Sequence, residues 1–138
     1  MAGVTATAAD SPGNIRVARL SHTYPGREGP VPALIDIDFA AAAGRFVVIV
    51  GPSGCGKSSL LLMMAGLRRA DSGTISCGGR PISGPDPLRV GVVFQEANLL
   101  PWLTALDNVS FPLALRRVKP AERRQRAWEM LRLVGLDG

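Results

Sequence analysis

Between Phe46 and Leu62 the chain reads FVVIV, then GPSGCGKSS, then LLL, and this run constrains the whole fold. Its five opening residues are apolar and mostly β-branched, the pattern of a strand buried on both faces. A glycine-rich turn follows at once, and after it an apolar run with helix-compatible spacing. Inside the turn, Gly51, Gly56, Lys57 and Ser58 satisfy the phosphate-loop pattern G-x-x-x-x-G-K-[ST].

The chemistry explains the spacing. A polyphosphate needs many donors at close range, and backbone N–H groups are the densest supply. Gly51, Gly54 and Gly56 let the chain curl without an obstructing Cβ, so successive amides can point inward as an anion nest. A helix opening near Lys57 adds unpaired first-turn N–H groups and the positive end of its dipole. Lys57 is then the group that reaches the β- and γ-phosphates, and the Ser58 hydroxyl the group that ligates Mg²⁺. Ser59 and Gly54 are expected to contribute backbone amides. Cys55 lies inside the loop beside a helix N-terminus and Lys57, and its alkylation is expected to block nucleotide binding. The plainer alternative is a tolerated small side chain pointing away. With a strand before the turn and a helix after it, the pattern predicts a nucleotide site.

At 138 residues, with 46% apolar and 20% charged residues, the chain suits one soluble globular domain with a real core. No apolar run approaches the roughly 20 residues needed to span a bilayer. The start, MAGVTATAADSPG, lacks the features of a secretory signal and reads as a flexible lead-in over residues 1–13. Two cysteines far apart make no disulfide framework, and a reducing cytoplasm is the default. The net charge of +5 gathers late, in Arg116, Arg117, Lys119, Arg123, Arg124, Arg126 and Arg132. Acidic and apolar residues interleave with them and no aromatic platform accompanies them. A solvated helix face is therefore expected, with no nucleic-acid partner.

Asn14 to Leu20 alternates as a half-buried strand, and Leu34 to Phe39 resumes through Ile35, Ile37 and Phe39, with Asp36 and Asp38 facing out. Two antiparallel strands therefore precede the phosphate loop. Tyr24, in the turn-rich connection between them, is either a platform for an adenine ring or an ordinary surface aromatic. His22, the single histidine, has no partner at a ligand-like spacing and receives no role. Ser59 to Leu67 is apolar almost all round, so Leu60 to Met64 should be buried, with Gly66 as the stop. Thr74 to Cys77 is a short strand, and Arg89 to Phe94 (RVGVVF) a second buried one. Gln95 then lies at a carboxyl strand edge, where ligands sit in open α/β sheets. Its amide can hydrogen-bond a metal-bound or attacking water. The apolar loop NLLPWL (98–103) needs cover from core or partner. Thr104 to Asp107 resembles a capping box. The helix it starts should break at Pro112, and a second runs from about Ala121 to Val134 with Trp128 in its core.

Taken together, GPSGCGKSSLL, AGL with DSG, GVVFQEANLLPWLTALDNV and LVGLDG resemble an ATP-binding subunit of an ABC transporter. The likeness is nearest to importers of taurine, aliphatic sulfonates and nitrate, and runs from about Ile15 to Gly138. It implies an α/β P-loop NTPase: an antiparallel β subdomain, a partial parallel-sheet core and the start of a helical subdomain. The implied plan is a nucleotide-binding core over 14–97 and an incomplete helical part over 98–138. Tyr24 takes the place of the adenine-stacking aromatic. The loop Gly51, Pro52, Ser53, Gly54, Cys55, Gly56, Lys57 and Ser58 takes that of Walker A, and Gln95 that of the Q-loop glutamine, near the metal. The cofactors implied are ATP and Mg²⁺. The partners implied are permease subunits reached through residues 96–102, a second ATP-binding subunit and, indirectly, a substrate-binding protein. The location implied is cytoplasmic, peripheral on the inner face of the membrane.

Nothing up to Gly138 reads as the signature motif, a Walker B aspartate with its glutamate, or a switch histidine. The expectation is a chain truncated before its signature, holding MgATP weakly, hardly turning it over and folding poorly, with an apolar sheet edge exposed. Two rivals stand beside it. A small kinase or GTPase lacks an NKxD run, an acceptor site and a lid. A non-hydrolysing module would use nucleotide structurally and dock through NLLPWL.

Overall fold

The computed structural model describes residues 13–96 and 98–136. The expected lead-in, apart from Gly13, and the last two residues of the LVGLDG run lie outside the described residues. The elements are β1 (Ile15–Tyr24), β2 (Val31–Ala41), α1 (Lys57–Met64), β3 (Ser72–Cys77), β4 (Arg80–Pro81), α2 (Ala105–Leu115) and α3 (Pro120–Leu133). They fall into two compact units that divide between Val92 and Val93.

The first unit carries an antiparallel sheet in the order β2-β1-β3-β4. Both strands expected ahead of the phosphate loop form, and both outrun the alternating stretch that announced them. Their alternation is broken, however. Leu34 is buried while Ile35, expected to share its strand's apolar face, is 70% exposed. The cause is a pair of register shifts around Leu20, where Arg19 and Asp36 adopt positive φ (48° and 49°). An extra residue in a ladder turns the following side chains to the other face. Side chains supply bonds at the irregularity: the Asp38 carboxylate accepts from the Arg19 amide (3.2 Å) and the Ser21 hydroxyl from the Asp36 amide (2.9 Å).

One face of α1 closes this sheet. Leu60 and Met63 cluster with Val17, Leu20, Leu34 and Ile75, with Ile37 and Phe39 packed against the edge. Each such side chain withdrawn from water contributes about 1.5–3 kcal/mol before entropy is counted. The helix is not buried all round, since Leu61 faces outward. It ends where expected: Leu67 donates to the Leu62 carbonyl and Gly66 to that of Met63, with Gly66 at φ 72°. This is the paired-bond stop that a left-handed residue permits.

Two expected strands are absent from the described residues. Phe46–Val50 forms no ladder and lies open, Phe46 at 94% and Val50 at 84% exposure. Arg89–Phe94 likewise fails as a strand. It begins in a turn held by Asp86, whose carbonyl accepts from the Arg89 and Val90 amides. Composition suits both runs to a parallel sheet, but a strand exists only through a paired neighbour, and among the described residues neither run has one.

The second unit is a helical hairpin joined by residues 116–119. Thr104 caps α2 as its sequence announces: its hydroxyl accepts from the Asp107 amide (3.1 Å) and donates to the Asp107 carboxylate (2.7 Å). Contrary to expectation, α2 runs straight through Pro112. One missing N–H is outweighed by a helix capped at its start and stopped at its end, where Val118 donates to Leu113 and Arg117 to Ala114. Ala127 and Leu131 form the buried stripe of α3, but Trp128 is 45% exposed and not core. It lies one residue, about 100° of helix, round from Ala127.

Candidate nucleotide-binding site

The loop from Gly51 to Gly56 leads directly into α1, whose N-cap is Gly56. Gly56 has φ 92°, and a Cβ there would strike the Ala33 carbonyl and the Leu34 side chain of β2. Only glycine combines that left-handed backbone with so close an approach. The loop is thereby pressed onto the sheet at its last residue, and the first amides of α1 are aimed by that contact.

Those amides carry no competing partner of the usual kind. No side chain caps α1, and no acidic residue lies in its first turn. Such a helix start offers its dipole and its N–H groups together to an anion. Residues 51–55 and Ser58 are exposed, so backbone and hydroxyl donors meet solvent. Lys57 folds back along the loop: its Nζ donates to the carbonyls of Gly51 (2.8 Å) and Pro52 (2.6 Å) and lies 3.4 Å from Cys55 Sγ. The ammonium therefore sits over the loop mouth, and its three rotatable donors can be redirected to phosphate oxygens. Cys55 is exposed beside it.

Tyr24, at the end of β1, is drawn to the same helix. Its hydroxyl is 2.9 Å from the Ser59 hydroxyl, and the Arg68 guanidinium lies over its ring, 4.9 Å from the centroid. Ser59 thus spends its side chain on Tyr24, leaving its amide facing the helix start. Gln95 is exposed, belongs to the second unit and, contrary to expectation, follows no strand.

Beside Tyr24 lies a set of contacts that no sequence pattern named. His22 Nδ1 is 3.0 Å from Asp71 Oδ1, and the Thr23 amide donates to Asp71 Oδ2 (2.7 Å). The His22 ring meets Tyr24 edge-on, with centroids 4.7 Å apart. The Asp71 amide returns a bond to the Ser21 carbonyl, which ties the end of β1 to the turn before β3. The hydrogen bond from the Thr23 amide is the largest influence and holds the Asp71 carboxyl below its ordinary value; desolvation, next in size, opposes it, and the His22 hydrogen bond and charge lower it further. Partners 49 residues apart leave no local signal; only the sheet brings them together.

The family model of the ABC transporter matches residues 34–138, and the chain belongs to that family. Its fold is the N-terminal part of a P-loop ATPase cassette, an antiparallel sheet with helices. Among curated relatives, the taurine import ATP-binding protein TauB of Chromobacterium violaceum is 48% identical over 86% of this chain and 44% of its own length. The protein of that name from Pseudomonas putida is 47% identical over 90% and 46%, respectively. The dimeric structure of a bacterial ABC transporter cassette matches with a TM-score of 0.76 and 34% identity, covering 86% of this chain and 56% of that one. A dimeric post-hydrolysis cassette bound to ADP and Pi matches with the same TM-score at 33% identity and the same coverage. The chain spans about half the length of the curated relatives it matches.

Proposed function

We propose that the chain is the ATP-binding component of an ABC importer for taurine, aliphatic sulfonates or nitrate-like anions, coupling ATP hydrolysis to transport. The observation that carries this is the uncapped start of α1, with Gly56 wedged on β2 and the Lys57 ammonium over the loop mouth. The relatives named for taurine import supply the substrate class.

In this scheme the amides of Gly51, Ser53, Gly54, Cys55, Gly56 and Ser59 cradle the phosphates, and Pro52, which has no N–H, shapes the turn between them. Lys57 leaves the Gly51 and Pro52 carbonyls for the β- and γ-phosphates of ATP. The Ser58 hydroxyl, an exposed oxygen donor at the helix start, fits Mg²⁺, and Gln95 joins it; the ion supplies neutralisation of phosphate charge. Tyr24 presents its ring to adenine, and Gln95 orients the attacking water. The domain plan is a nucleotide-binding core over 14–97 and a helical part from 98, a boundary five residues beyond the division between Val92 and Val93. Residues 96–102 meet permease subunits, a second ATP-binding subunit completes the enzyme, and a substrate-binding protein acts indirectly. The assembly lies on the cytoplasmic face of the membrane.

Calorimetry with MgATP tests the nucleotide site. Binding is expected for the wild type, and Lys57→Ala should weaken it by about tenfold or more, the worth of a charged hydrogen bond. A wild type that gives no heat overturns the proposal. Uptake of taurine and nitrate by vesicles bearing the complete importer separates the substrates.

A further inference from the structure

The end of β1 is only loosely fixed by its own ladder. Pairing with β2 shifts register on both sides of His22, between Leu20 and His22 and again between His22 and Thr23. Asp71, in the turn before β3, supplies what the ladder lacks. Its carboxylate accepts from the Thr23 amide at 2.7 Å, and its own amide donates to the Ser21 carbonyl at 3.0 Å. Asp71 therefore grips the backbone on both sides of His22. Its other carboxylate oxygen takes the His22 ring, 3.0 Å from Nδ1. A carboxylate only accepts, so Nδ1 carries the hydrogen of that bond.

His22 is buried, and its Nε2 has no hydrogen-bond partner among the described residues. A buried nitrogen left unpaired carries a desolvation cost that an apolar side chain would avoid. What the histidine provides instead is orientation. Held by Asp71, its ring meets that of Tyr24 at 85° with centroids 4.7 Å apart, an edge-to-face pair. The Tyr24 hydroxyl is tied to Ser59, 2.9 Å away, but that oxygen lies on the ring's long axis, so the bond leaves the ring free to turn about it. The contact with His22 removes this freedom. A third neighbour, the Arg68 guanidinium over the Tyr24 ring, ends an exposed and rotatable side chain that can yield to a flat base.

We infer that His22, clamped by Asp71, is a positioning residue that sets the plane in which Tyr24 meets the adenine base. This rests on the reading above in which Tyr24 is the adenine platform. In this role His22 touches neither base nor phosphate; it acts through the Tyr24 ring. A plane fixed in advance spares the ordering cost that stacking would otherwise carry.

Calorimetry on the complete subunit tests this by comparing MgATP with magnesium tripolyphosphate, which offers phosphates and no base. The variants are His22→Ala, His22→Phe, Tyr24→Ala and the His22→Ala/Tyr24→Ala pair. His22→Ala should weaken MgATP by about three- to tenfold, the range an aromatic pair supplies, and leave tripolyphosphate within about twofold. His22→Phe keeps a ring but loses the Asp71 bond, and should lose about two- to fivefold in MgATP alone. If His22→Ala does not fold, His22→Phe decides by that comparison. Once Tyr24 is alanine, removing His22 as well should change nothing further, because the two act as one. Additive losses in the double variant overturn the inference. So does a parallel loss of tripolyphosphate binding, since His22 would then support the fold at large. Full MgATP affinity in a folded His22 variant, beside a weakened Tyr24→Ala, overturns it and leaves the platform reading standing. If Tyr24→Ala binds MgATP as the wild type does, the platform reading fails, and the inference with it.

Discussion

The hydroxyls of Tyr24 and Ser59 lie 2.9 Å apart, joining the end of β1 to the first turn of the helix that opens at Lys57. The ring proposed for adenine and the amides proposed for phosphate are thus spaced by one hydrogen bond. Tyr24→Phe keeps the ring and loses the tie, so MgATP affinity should fall only about two- to fivefold. Tyr24→Ala removes the platform and should cost roughly tenfold or more, the worth of one stacked base. Calorimetry on both variants checks this; equal losses would show that the hydroxyl, not the ring, matters.

Gly56→Ala should be far more damaging than its one added methyl suggests. It forces φ 92° on an L-residue and drives a Cβ into the Ala33 carbonyl. A loss of about 2 kcal/mol or more is expected from strain and overpacking together. Denaturant unfolding measures it, and Gly54→Ala is the informative control, because nothing lies within 4 Å of a Cβ there even though φ is 80°.

Asp71 makes stability depend on pH. Its folded pKa is held down by the Thr23 amide first and then by His22. A depressed carboxyl stabilises the fold above its unfolded pKa, about 3.9, and loses that contribution as pH falls through the lower folded value. Wild type should therefore melt higher than Asp71→Asn near neutral pH, and the gap should close progressively below about pH 4. Melting curves across that range decide it; a gap independent of pH would mean that the charge contributes nothing.

Arg117 occupies the left-handed position that ends α2, at φ 58°. A non-glycine residue there carries about 1 kcal/mol of conformational cost. Arg117→Gly should raise the unfolding free energy by about 0.5–1 kcal/mol, read from denaturant midpoints at constant slope.

What could be read directly in the chain was local. The phosphate loop, the Thr104 cap and the Gly66 stop are set by residues within a turn of one another, because glycine conformations and short-range hydrogen bonds need no distant partner. The β1–β2 pair announced itself by alternation, yet the shift at Arg19 and Asp36 that turns Ile35 outward did not, since a bulge belongs to a pairing and not to a strand. Pro112 and Trp128 were misjudged for a related reason: whether a helix tolerates proline, or buries an aromatic, depends on what packs around it. FVVIV has every property of a buried strand except a neighbour. By itself the sequence determined the glycine turn on which the proposed phosphate site rests, through the backbone freedom of Gly54 and Gly56. Tertiary structure alone decided what surrounds that place, because the bonds joining Tyr24 to Ser59 and His22 to Asp71 exist only once remote segments share a sheet.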